Sequence, residues 1–229
     1  METETKSSVR HGFYRGVLVA AFVCAATIVF FLQSRTQFDP DYLEKGLAAY
    51  ENGKYDDALK YFSSGAGNDD PQSLFILGAM HLNGLGVEKN PQKAEELYLK
   101  AAQNGYLPAI TTLSVLYAAG DVLPEDREAA MALAVQAAQM GDVDAQLMAA
   151  TWYENGFAGV KDVEQAVKWY TKAARNGEKN AKMALALIYR EGKGRVPPNI
   201  HTAKRWYDSI EKQSVYEKRF QGETLDISR

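Results

Sequence analysis

The sequence predicts an all-α protein: an α-solenoid of about five helical hairpins behind an N-terminal transmembrane helix. Three observations predict it. Glycines and alanines recur at a fixed 36-residue step, the aromatics and alanines between them fall at helical spacing, and a sixteen-residue apolar run stands near the N-terminus. Averaging hides this division: the 229 residues are 46% hydrophobic and 24% charged, with a formal net charge of −3. That near-balance argues against a general nucleic-acid binder, which needs a basic field to meet phosphates. A single cysteine, Cys24, excludes a disulfide framework and any Cys-rich zinc site. With only His11, His81 and His201 available, a His-based metal site or a Ser/His triad is hard to build. No cofactor is expected.

The first element is the apolar run from Val17 to Leu32, in which Thr27 alone falls outside the apolar set. At about 1.5 Å per residue it spans about 24 Å, short of a hydrocarbon core of about 30 Å. Gly16 and snorkelling of Arg15 and Arg35 extend it into the usable range. A cleaved signal peptide fits less well: cleavage after Ser34 puts Leu32 at −3, and cleavage after Ala26 strands Ile28 to Leu32. Bulky residues before Cys24 also disfavour a lipoprotein site. The expected anchor is therefore residues 16–33, between a tail at 1–15 and a linker at 34–39. Lys6, Arg10 and Arg15 precede the run, against Arg35 and Lys45 after it, which predicts a cytoplasmic N-terminus and an exported remainder. That remainder has no cysteine and no Asn-x-Ser/Thr sequon, which suits a bacterial periplasm, and it carries 22 basic against 27 acidic residues.

The repeat then sets the order of helices. Gly84, Gly120, Gly156 and Gly192 are 36 apart, as are Gly105, Gly141 and Gly177, and the pairs Ala101-Ala102, Ala137-Ala138 and Ala173-Ala174. Ala94, Ala130 and Ala166 keep the step, as do His81, Tyr117, Tyr153 and Tyr189. A residue inserted near Val196-Pro197-Pro198 moves Ala203, Trp206 and Tyr207 to a step of 37. Each unit opens with a densely apolar helix, Ser73–Leu82 and its equivalents, which glycine stops as at Asn83-Gly84 and Asn155-Gly156. Pro or Asp then marks the next helix start, as at Asn90-Pro91 and Asp162. The second helix places Ala166, Trp169, Tyr170, Ala173 and Ala174 on one face. Such a hairpin cannot bury its own faces, so neighbours must stack.

The stretch Leu77-Gly78 … Gly84-Leu85-Gly86-Val87-Glu88-Lys89-Asn90 … Lys93-Ala94 … Leu97-Tyr98 … Lys100-Ala101-Ala102 … Gly105 resembles the Sel1-like repeat, as does Tyr153 … Gly156 … Gly159-Val160 … Asp162 … Gln165-Ala166 … Trp169-Tyr170 … Lys172-Ala173-Ala174 … Gly177. The resemblance covers four copies at residues 71–213. Residues 40–70, through Gly46, Tyr50, Gly53, Tyr55, Ala58, Leu59 and Phe62, resemble the related tetratricopeptide hairpin. Residues 214–229 form a charged C-terminal tail that adds a short terminal helix or frays. There are departures: Ser114 and Ala150 stand where glycine is usual, copy two lacks the Gly-x-Gly loop, and copy four ends in Ile210-Glu211 rather than Ala-Ala.

The resemblance implies scaffolding and peptide binding rather than chemistry, with the first helix of each hairpin lining a groove. Matching registers puts Leu43, Phe75, Thr111, Leu147 and Met183 in its central row and Leu47, Ala79, Val115, Thr151 and Leu187 in a second. A third row is Tyr50, Leu82, Ala118, Glu154 and Arg190. The candidate partner groove comprises the first two rows with Tyr50 and Leu82. No charge falls in those two rows, which disfavours capture of a peptide carboxylate and points to apolar or amphipathic segments of other proteins. In the competing reading, these side chains pack on adjacent helices or on the tail. Other candidates have ordinary explanations. His81 replaces a repeating Tyr. Glu95-Glu96, Glu125-Asp126 and Asp69-Asp70 sit near helix starts, where acidic side chains complement the dipole. Gly84-x-Gly86 and Gly192-x-Gly194 lack a preceding strand, and Lys204-Arg205 and Lys218-Arg219 are small basic spots. The expected protein is not an enzyme but a membrane-anchored scaffold that positions partners in a cell-envelope complex. The alternatives are a periplasmic chaperone-like holder of exported chains and, from cysteine-rich relatives of the repeat, a hydrolase.

Overall fold

The computed structural model describes residues 41–159 and 161–220, with side chains to position 212. Among the described residues the chain is built of helices joined by short loops, with one isolated antiparallel bridge, Lys193 to Val196. In chain order the helices are α1 (Tyr42–Glu51), α2 (Tyr55–Ala66), α3 (Pro71–Asn83), α4 (Pro91–Gln103) and α5 (Leu107–Ala119). They continue as α6 (Arg127–Gln139), α7 (Val143–Asn155), α8 (Val163–Arg175), α9 (Lys179–Glu191) and α10 (Ile200–Phe220). Each odd-numbered helix packs on its successor as a hairpin, and each hairpin packs on the next, which is the stacking that defines a solenoid. The proposed anchor at 16–33, its flanks at 1–15 and 34–39, and the chain after Phe220 lie outside the described residues. No described helix is long and apolar enough to cross a membrane. The last helix runs through position 214 without a break.

The 36-residue step has a backbone basis. The amide of the residue that caps each second helix donates to the carbonyl of the repeating His or Tyr: Asn90 to His81 (2.8 Å), Asp126 to Tyr117 (3.0 Å), Asp162 to Tyr153 (2.8 Å) and Asn199 to Tyr189 (2.6 Å). The same caps use their side chains, with Asn90 accepting from the Lys93 amide (2.9 Å), Asp126 from Ala129 (2.8 Å) and Asp162 from Gln165 (3.0 Å). Gly84 and Gly156 meet the stop in left-handed geometry, with φ of 73° and 76°. In the last repeat the extra residue is taken up between Lys193 and Val196, whose amides and carbonyls pair twice at 3.0 Å. The loop lengthens and the anchor to Tyr189 survives.

The core is a column of alanines with aromatics set between them. Ala94, Ala101, Ala130, Ala137, Ala166 and Ala173 are fully buried at their recurring positions, which lets helices approach closely. At two contacts a large ring faces a glycine. An added Cβ at Gly78 would meet the Tyr98 ring at 2.8 Å, and one at Gly46 would meet Phe62 at 2.8 Å. One repeat later the position of Tyr98 is held by Ala134, and the glycine position is Ser114. Ser114 is buried and donates its hydroxyl to the Ala130 carbonyl at 2.8 Å. The departure from glycine in the second copy is therefore a matched exchange of volume. In the third copy the equivalent pair is Ala150 with Tyr170, whose hydroxyl donates to Glu154 at 2.6 Å, so that departure is not an exchange of volume.

Candidate functional site

The groove candidates lie on the five first helices, α1, α3, α5, α7 and α9, at positions that the 36-residue step superimposes from α3 to α9 and that a shorter step of 32 matches on α1. The structure divides them. Leu43, Leu47, Tyr50, Phe75, Ala79, Leu82 and Leu147 are half-buried and pack against the core. Phe75 is the most committed: its ring centroid lies 5.3 Å from Tyr98 and 5.5 Å from Tyr106. Thr111 returns its hydroxyl to the carbonyls of Leu107 (3.2 Å) and Pro108 (3.1 Å), and Thr151 returns its own to Leu147 (2.9 Å). Val115, Met183 and Leu187 remain open, at 53%, 41% and 37% exposure. A small hollow of about 240 Å³ beside Leu187 is walled by Ala184, Ile188, Glu154 and Lys193.

The charges of the third row are engaged within the protein. Glu154 accepts the Tyr170 hydroxyl on Oε2 at 2.6 Å, and its Oε1 meets Lys193 Nζ at 2.6 Å. Burial, with the Glu154 carboxylate accepting the phenol proton, pushes the Tyr170 hydroxyl well above the usual tyrosine range. Arg190 pairs with Glu191 at 2.6 Å and donates to the Tyr207 hydroxyl at 3.4 Å. Carboxylates that could suggest acid–base chemistry are structural. Glu95 accepts from the Tyr117 hydroxyl at 2.6 Å, and Glu96 is held between Lys93 (2.8 Å) and Lys100 (3.1 Å). Glu125 pairs with Arg127, while Asp70 and Asp126 cap helices. His81 is half-buried, and desolvation lowers its pKa from the ordinary value. Among the described residues no three His, Cys, Asp or Glu side chains gather as metal ligands.

One surface was not singled out from the sequence. A hollow of about 630 Å³ runs along the outward side of α6, bounded by Tyr153 of α7 and Ala158 of the following loop. Its signal was present in the repeat register, in which Lys93, Glu96 and Lys100 of α4 correspond to Ala129, Ala132 and Gln136 of α6.

Stacked two-helix units with a glycine stop, a loop pinned to a repeating Tyr or His, and an alanine-lined seam define an α-solenoid of the helical-repeat class. The chain matches the Sel1 repeat at residues 71–106, 109–142, 143–178 and 180–210, and it belongs to the Sel1 repeat family. It is similar to the solved structure of c5321, a protective antigen of uropathogenic Escherichia coli with an SLR fold, at 30% identity and a TM-score of 0.64. That match covers 75% of this chain and 38% of the antigen. A Sel1 repeat protein from Oxalobacter formigenes superposes with a TM-score of 0.63 at 26% identity, covering 73% of this chain and 69% of that one. In sequence, DAP3-binding cell death enhancer 1 of Rattus norvegicus is 43% identical over 60 residues. Those residues are 26% of this chain and only 12% of the rat protein's length. Sel1-repeat proteins are in general protein-interaction scaffolds, and their solenoid is typically a non-enzymatic binding module.

Proposed function

We propose that this chain is a membrane-anchored interaction scaffold. Residues 16–33 hold it in a bacterial inner membrane with the N-terminus in the cytoplasm. The solenoid stands in the periplasm and positions partner proteins of a cell-envelope complex through the first-helix face. The observation that carries the binding mode is the exposure of Val115, Met183 and Leu187 on that face, while the nearby charges of Glu154 and Arg190 are engaged within the protein. An apolar or amphipathic partner segment gains from covering those side chains, at roughly 25 cal/mol per Å² of apolar surface removed from water. The experiment is site-specific photo-crosslinking in cells, with a benzophenone side chain at Val115 or Met183 and, as control, at Lys168 on α8. A discrete adduct from the first two positions and none from the third is expected, and equal yields from all three would overturn the groove.

The anchor and its orientation rest on the apolar run and on the excess of basic residues ahead of it. A reporter that is active only after export, fused behind Arg229, should be active. Activity confined to a cytoplasm-dependent reporter would reverse the topology. A second reading, a holder of exported chains, is favoured by the self-satisfied hydroxyls of Thr111 and Thr151. They leave the face few directional polar groups with which to select one partner. Many adducts of varied mass in the crosslinking experiment would choose the holder over the scaffold.

A further inference from the structure

The outward side of α6 differs from the corresponding sides of its neighbours in a way that the fold does not require. On α4 this surface is closed by ions, with Glu96 bridging Lys93 and Lys100 at 2.8 and 3.1 Å. On α8 the aliphatic and aromatic surface is covered by Lys172, whose Nζ lies 4.0 Å from the centre of the Trp169 ring. On α6 the equivalent positions are Ala129, Ala132 and Gln136, so neither device is available. The buried side of α6 is the alanine seam of Ala130, Ala134, Ala137 and Ala138. Its other side presents Ala132 between half-buried Met131 and Val135, and these line the 630 Å³ hollow.

Two polar groups that line the hollow lack partners. Tyr153 is the repeat equivalent of Tyr117, whose hydroxyl donates to Glu95 at 2.6 Å. The residue that corresponds to Glu95 beside Tyr153 is Met131. The Tyr153 hydroxyl accordingly has no hydrogen-bond partner among the described residues. Glu128, one turn before Met131 on α6, also lines the hollow, and no described basic side chain reaches it. Its neighbour Arg127 is held by Glu125 at 2.6 Å and lies 5.2 Å over the Phe157 ring. The stripe from Glu128 to Gln139 is about 16 Å long at about 1.5 Å per residue, close to three helical turns.

We propose that this face of α6 is a second docking surface, separate from the first-helix groove, and that its occupant is a short amphipathic helix of a partner protein. The helix lays an apolar stripe over Met131, Ala132 and Val135 and sets a Lys or Arg against Glu128. Charge selects the basic helix: the lining holds one carboxylate and no cation, so an acidic helix would meet repulsion without compensation. The helix-in-groove mode suits the shape, because apolar anchors at i, i+3, i+4 and i+7 match a three-turn stripe. The free Tyr153 hydroxyl, beside Met131, gives one directional contact on the same side of the stripe as Glu128.

The test uses the full chain in detergent and a labelled peptide of roughly 14 residues with leucines at helical spacing and lysines on the flanks. Its counterparts are the same peptide with glutamates for lysines, and a scrambled version without amphipathicity. Fluorescence anisotropy should show binding of the lysine peptide and neither counterpart. Met131→Gln with Val135→Gln changes no charge and should weaken it at least about tenfold, because apolar anchors would then face amides. Glu128→Lys, an exposed change, should exchange the preference toward the glutamate peptide. Circular dichroism on each variant verifies the helices. Unchanged affinity in both variants, or equal binding of the scrambled peptide, would overturn the proposal. So would loss of lysine-peptide binding in Val115→Glu with Met183→Glu, which would assign it to the first-helix groove. A dimer in sedimentation that the Gln variant dissolves would assign the surface to a second copy of the chain and also overturn it.

Discussion

At the scale of single residues, the repeat is a set of volume exchanges rather than a fixed consensus. Gly78 exists because the Tyr98 ring occupies the space of its missing Cβ, 2.8 Å away. That ring is almost fully buried, which pushes its hydroxyl up to about 12. The next repeat reverses the pair with Ser114 and Ala134. A forced methyl at such a contact costs about 1–3 kcal/mol. Gly78→Ala should therefore lower the free energy of unfolding by that amount, and the loss should shrink in a Tyr98→Ala background. Chemical denaturation of the four proteins in the cycle measures this. Equal losses in both backgrounds would show that the ring does not dictate the glycine. This level was half legible from sequence. The glycine register announced itself, but the departure at Ser114 looked like an exception until its facing Ala134 was placed, and Ala150, which faces Tyr170, has no such exchange to explain it. A facing residue on another helix has no fixed sequence offset once the repeat varies.

At the scale of elements, hairpin order, stops and caps were legible, because glycine, asparagine and aspartate act locally and leave fixed spacings. Two features were less so. The inserted residue of the last repeat was visible, but its absorption by the Lys193–Val196 bridge depends on a loop closing on itself. Nor did sequence show that this loop is tied back to an earlier hairpin, through Lys193 and Glu154 at 2.6 Å, a contact between residues 39 apart. Glu154 is 16% exposed at its side chain and Lys193 43%, so solvent screens the pair only in part. A double-mutant cycle of Glu154→Gln with Lys193→Met should give a coupling of about 0.5–1.5 kcal/mol. Zero coupling would mean that the loop is held by its own bridge alone. The Glu154→Gln change keeps a side-chain oxygen that can accept from the Tyr170 hydroxyl, so α7 and α8 should stay joined.

At the scale of the whole molecule, stacking decides which surfaces are spent and which remain. Alanine pairs bury one side of α4, α6 and α8, the first helices pack between successive hairpins, and what is left outside is available to partners. The family resemblance and the register led to the expectation that the first-helix rows line a groove. They could not tell that Phe75 is drawn into an aromatic cluster with Tyr98 and Tyr106 while Val115 and Met183 stay open. That depends on how far neighbouring hairpins rotate, which no single repeat encodes. The same blindness hid the α6 surface, although its lost charges were readable once the copies were aligned. The central claim is that the open first-helix face captures protein partners. It is tested most directly by affinity capture from solubilised membranes with wild type and with Val115→Glu plus Met183→Glu, two exposed changes that leave the packed positions intact. A partner retained stoichiometrically by the wild type should be lost by at least about tenfold from the variant, as expected for charges set in an apolar contact, while its helical signal and melting temperature persist. Undiminished capture by the folded variant would contradict the account.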